Sequence, residues 1–167
     1  MRLLNLDVFL AWDDLKALLR NSKQDRFVIH GIKSSGADVI VDGEASVVGC
    51  TANWSACFEP MRTDDGRCIV FYVKSFELKE GFARFGFQFF KNFCKFDWGH
   101  DSEEFLVNKV AETMSAKGAW ADGKHLLIDI ATLLSSVVKM DHSRVQVGRI
   151  TRFRSTGDGL RFAIESA

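Results

Sequence analysis

The chain has 167 residues, with 22 basic side chains balanced by 22 acidic ones, and four cysteines. A length of this order suits one domain, which buries roughly 68–70% of its unfolded surface and needs neither disulfide nor metal to fold. The balanced charge excludes binding of nucleic acid or anionic membrane by bulk electrostatic attraction.

Near the start, Arg2 precedes a short apolar run that Asp7, Asp13 and Asp14 interrupt before it reaches export length, so a cytoplasmic protein without a transmembrane segment is expected. Asp13 to Arg20 is predicted to be an amphipathic helix. Leu15, Leu18 and Leu19 form its apolar stripe, and acids open it while Arg20 closes it, matching the helix dipole. Phe27 to Ile32 reads as a strand, turned by Ser34-Ser35-Gly36. Asp42-Gly43-Glu44 then lies between two β-branched runs, the usual signature of a hairpin, and predicts that Val39–Val41 folds back on Ala45–Val48. A second hairpin is expected from Asn53–Met61 and Arg67–Leu78 around Thr63-Asp64-Asp65-Gly66. Pro60 cannot donate to a strand ladder, which places its arm at a sheet edge or on a bulge.

Nine of the fifteen phenylalanines fall between Phe71 and Phe96. Phe82, Phe85, Phe89, Phe93 and Phe96 are spaced as a helical stripe, while Phe85, Phe87 and Phe89 alternate as a strand does. The reading adopted is a strand to Phe87 followed by a helix to Phe96. Asp101-Ser102-Glu103-Glu104 opens a clearer helix with Phe105, Leu106, Val110 and Met114 facing inward and Gly118 closing it. His125–Ile130 is a strand, and Asp129 is placed to cap a short helix at Ala131–Leu134. The chain ends in a hairpin turning at Ser155–Gly159, where Gly148 beside Ile150 suggests a bulge or a sharp bend. Hairpins and helices in this order predict an α+β fold, with a strongly curved, mostly antiparallel sheet of six to eight strands on two to three helices.

Three groups of residues are candidates for chemistry. The aromatic segment is core, pocket lining or interface. As a pocket it takes an apolar ligand through Phe76, Phe82, Phe85, Phe89, Phe93 and Trp98, since such pockets are lined mainly by hydrophobic and aromatic side chains. Trp12, Trp54, Trp98 and Trp120 also suit a cavity rim or an interface. In the C-terminal hairpin, Arg144, Arg152, Arg154 and Arg161 are expected on one strand face, where they could receive phosphate, a lipid headgroup or an acidic partner, or stand as a solvated face. Phe153 and Phe162 alternate away from them, which argues against RNA binding. Cys50, Cys57, Cys68 and Cys94 show no metal-binding spacing and read as reduced core residues. His30, His100, His125 and His142 form no zinc motif, and no phosphate loop or serine nucleophile motif is present.

The run Asp122-Gly123-Lys124-His125-Leu126-Leu127-Ile128-Asp129-Ile130-Ala131-Thr132-Leu133-Leu134, followed by Val145–Ile150 and Asp158–Ile164, resembles small bacterial domains related to the tubular lipid-binding (TULIP-like) proteins. The likeness covers about a third of the chain and rests on the order of strand, Asp-capped helix and closing hairpin. It implies a curved sheet that grips a helix and leaves an apolar groove. It carries over no functional residue, and this chain departs from the pattern in lacking an export signal. The expected function is therefore binding of a lipid-like or other apolar ligand, without catalysis, cofactor or metal. The alternative is an interaction or structural module that dimerises through the same aromatic surface.

Overall fold

The computed structural model describes residues 5–20, 27–47, 50–79, 102–114, 118–138 and 148–165. They form ten strands, every described pair antiparallel, and three helices, an α+β architecture. The strands divide between two sheets. The large sheet has the order β2-β3-β4-β5-β7-β6, from Phe27–Ser35 (β2), Asp38–Val47 (β3), Cys50–Arg62 (β4), Cys68–Leu78 (β5), Ala119–Asp122 (β6) and His125–Asp129 (β7). The small sheet is built from the two ends of the chain. Asn5–Ala11 (β1) pairs with Gly159–Glu165 (β10), whose other side takes Arg149–Ile150 (β8) and Arg154–Ser155 (β9).

Period-2 burial explains how the large sheet folds on one side only. Val39 and Val41, Trp54, Ala56 and Phe58, and Ile69, Phe71 and Val73 are buried on the inner face. Two helices share that core: Trp12–Arg20 (α1) through Trp12 and Leu15, and Ser102–Thr113 (α2) through Phe105, Leu106 and Val110, with Met114 just beyond its end. The third helix, Ile130–Val138 (α3), is longer than expected. Asp129 caps it as predicted, accepting hydrogen bonds from the backbone N–H of Thr132 (2.8 Å) and from its hydroxyl (2.7 Å). The small sheet joins the same core through Leu10, Ile150, Leu160 and Phe162, and the Ile150 N–H donates to the Gly66 carbonyl at 2.7 Å.

The hairpin expected at Asp42-Gly43 is not formed. Strand β3 runs straight through it, and the chain reverses instead at Gly36-Ala37, where Gly36 has φ +63°. Gly43 serves a different purpose. It stands directly opposite Trp54, and a methyl group on it would collide with the indole ring and with the Val28 carbonyl. The missing side chain lets the ring lie over the backbone, beside the bulge in β2 between Ile29 and Gly31. The second hairpin forms as expected around Gly66 (φ +69°). Pro60 does lie beyond the reach of β3, whose pairing with β4 stops at Phe58. Strands β1 and β6 were not anticipated.

Candidate functional site

Two concavities are shaped by described residues. The first is a slot of about 50 Å³ between the inner face of the large sheet and helices α1 and α2. Helix α1 places Trp12 and Leu15 three residues apart on one face, α2 leads to Val110 and Met114, and the sheet supplies Phe58, Phe71 and other apolar side chains. Phe58 meets Phe71 edge-on at 6.4 Å between centroids. Every lining residue is apolar, so no titratable group can move a proton there. The indole Nε1 of Trp12 is buried without a hydrogen-bond partner and adds no polar surface to the slot. A buried donor left in this state costs about 1–3 kcal/mol.

The second concavity is an open groove of about 640 Å³ across the outer side of the small sheet. Register explains its composition. Arg154 is the direct cross-strand partner of Arg161, and Phe9 of β1 flanks Arg161 on its other side. The Arg161 guanidinium lies 4.4 Å from the centroid of the Phe9 ring, a cation–π contact. Four residues lead from Ile150 to Arg154 where three lead from Arg161 to Ile164, so the bulge expected near Gly148 falls at 151–153. It brings Arg152 and Phe153 to the same groove. Phe153 was expected to turn away from the arginines. The bulge lets it line the groove with them while its ring packs 6.4 Å from Phe162.

The sequence candidates thus separate. Arg152, Arg154 and Arg161 come together, all exposed. Phe76 is half-buried on the inner face against Trp54, at 6.1 Å, and does not line the slot. Phe82, Phe85, Phe89, Phe93, Trp98 and Arg144 lie outside the described residues. Of the tryptophans, Trp12 lines the slot, Trp54 is buried over Gly43, and Trp120 is exposed on β6. Phe9 and Asp7 of the groove were missed because β1 itself was missed.

Among the described residues the two cysteine thiols, Cys57 and Cys68, are not activated. Burial pushes the Cys57 thiol up, helped by the nearby Asp38 carboxylate, and burial raises Cys68 likewise. Both therefore stay protonated at neutral pH and are poor nucleophiles. His30 faces Glu44 at 3.7 Å, and His125 stacks on Tyr72 at 5.0 Å, each on its own part of the large sheet. Among the described residues no cluster of His, Cys, Asp or Glu is arranged to hold a metal, and no helix is long and apolar enough to cross a membrane. Neither a family model, nor a curated protein, nor a solved structure matches this chain.

Proposed function

We propose that this chain is a non-enzymatic binding domain for a lipid-like or other apolar ligand, held between the large sheet and helices α1 and α2. The observation that carries the reading is a slot between sheet and helices whose lining is wholly apolar. A ligand with an alkyl body suits such a lining. Its shape is constrained as well. A dry cavity of about 150 Å³ holds benzene, so a slot of about 50 Å³ fits the tip of an unbranched chain rather than a ring. Seating more of the chain would draw the sheet into the stronger curl expected from the sequence, and that curl is part of the proposal. The pattern-level resemblance to tubular lipid-binding domains implies the same arrangement.

The test is organic extraction of purified protein followed by mass spectrometry, with titration of a fluorescent fatty acid in parallel. We expect an alkyl-bearing molecule to be recovered, or the probe to bind and be displaced by lipid. Ile32→Trp, which fills the slot from its half-buried wall, should weaken the probe at least tenfold. Well-folded protein that yields no ligand and binds no probe sinks the proposal.

One observation favours the interaction reading as a second choice. The exposed large apolar residues Leu6, Phe9, Val28 and Trp120 all lie on the edge strands β1, β2 and β6. Edges with no partner strand among the described residues invite pairing with another copy. Sedimentation showing a dimer with no extractable ligand would favour it.

A further inference from the structure

We infer that the groove on the small sheet is a binding site for a soluble phosphate monoester carrying an aromatic or apolar body. Its centre is an arrangement that weakens the fold. Arg154 and Arg161 stand directly opposite each other on neighbouring strands, and like charges so placed repel. Such a pair is ordinarily relieved by a carboxylate between the two. Here no ion pair at salt-bridge distance forms at Arg152, Arg154 or Arg161 within the described residues; Arg161 lies against the Phe9 ring and feels the exposed Asp158 carboxylate only at longer range. The Asp7 carboxylate lines the same groove without reaching salt-bridge distance of any of the three.

Charge, shape and surroundings then select the occupant. Among the lining residues three guanidinium groups against one carboxylate leave two positive charges, which the exposed Asp158 carboxylate near Arg161 offsets only through solvent. A phosphate monoester carries about −1.5 to −2 at neutral pH, whereas a carboxylate or a sulfate ester carries one charge and leaves the site half compensated. Guanidinium groups suit phosphate oxygens because their paired N–H donors match the spacing of two oxygens. A groove of about 640 Å³ lies inside the range of roughly 300–1,000 Å³ typical of small-molecule sites. Exposed Phe9 and half-buried Phe153 border the arginines, so the rest of the ligand meets aromatic carbon rather than water. A concave site with aromatic walls favours a soluble phosphate over a headgroup lying in a bilayer plane. The groove shares no lining residue with the apolar slot, so this inference and the proposed function stand or fall separately.

Calorimetric titration at low salt tests it with phenyl phosphate, inorganic phosphate and phenyl sulfate. Vesicles of phosphatidic acid in phosphatidylcholine form a separate arm. Phenyl phosphate should bind saturably and more tightly than the other two soluble probes, and added salt should weaken it. The double substitution Arg154→Gln/Arg161→Gln, both at exposed positions, should reduce its affinity at least tenfold while the circular dichroism spectrum stays unchanged. Phe9→Ala should weaken phenyl phosphate and leave inorganic phosphate unaltered. The inference is overturned if folded protein shows no saturable binding, if the double variant binds as tightly as the parent, or if only the vesicles bind.

Discussion

On the outer face of the large sheet Lys33 and Lys79 reach Asp42, and Lys74 reaches Asp38 at 2.8 Å, whereas on the small sheet Arg154 faces Arg161 with no carboxylate at salt-bridge distance of either among the described residues. Both faces are antiparallel and exposed, and both are rich in basic side chains. The difference lies in which neighbour the register supplies. Strands β3 and β5 set acid and base within reach of each other, while β9 and β10 set base against base. A face whose charges are internally matched has nothing left to offer a ligand. An unmatched face keeps its electrostatic potential for something outside the chain, at a small cost in stability. The two sheets therefore differ: one holds the core and pairs charges on its outer surface, and the other joins the chain ends and sets two arginines face to face.

The largest test of that difference concerns the inner face of the large sheet. Phe58 is 4% exposed, packs edge-on against Phe71 and lines the slot. Phe58→Ala should cost about 3–5 kcal/mol in urea denaturation, through lost burial and the cavity left behind. If the loss is under about 1 kcal/mol, a typical figure for a point substitution, the large sheet is not where stability resides and the contrast between the sheets fails.

A smaller effect of opposite sign is expected on the small sheet. Arg154→Glu replaces a repulsive cross-strand pair by an attractive one. It should raise stability by about 0.5–1 kcal/mol, and the gain should shrink in concentrated salt. Few substitutions at a proposed binding site are expected to stabilise, so the sign discriminates. A stability loss on this reversal means that Arg154 already has a compensating partner, and the charge left free on this face is then illusory.

How much of this was legible in the sequence depended on how local each signal was. The Asp129 cap, helix α1 and the turn at Gly66 are set by residues within a few positions of one another, and all three were read correctly. Strand β1 alternates Leu6, Val8 and Leu10 with polar neighbours, but exposed Phe9 blurs the period, and its partner β10 lies at the far end of the chain. Asp42-Gly43 misled because a glycine between β-branched runs signals a turn or a close approach equally well. Only Trp54, supplied by the next strand, decides between them. The slot was placed in the phenylalanine-rich segment by density, yet its walls come from helices and strands throughout the chain, and Phe71 is its single contribution from that segment among the described residues. The arginine face needed only period-2 alternation and one bulge, so most of it could be read.

The smallest effect sharpens the same comparison through pH. The Lys79 ammonium, hydrogen-bonded to Asp42 at 2.7 Å, holds its carboxyl below the usual value, with a further hydrogen bond from Ser55 and the charge of Lys33 acting in the same direction against partial burial. A folded-state pKa below the unfolded one means that the ionised form is favoured by folding. The stabilisation is therefore complete above the unfolded value of about 3.9 and is lost as pH falls through the lower folded value. Because the pair is partly exposed, solvent screens it, and Asp42→Asn should cost roughly 0.5 kcal/mol at pH 7. The gap between variant and parent should close as denaturation is repeated below about pH 4. A gap that persists unchanged at pH 2.5 would show that Asp42 acts through packing or neutral hydrogen bonding, and that the large sheet's outer charges are no better matched in energy than those of the small sheet.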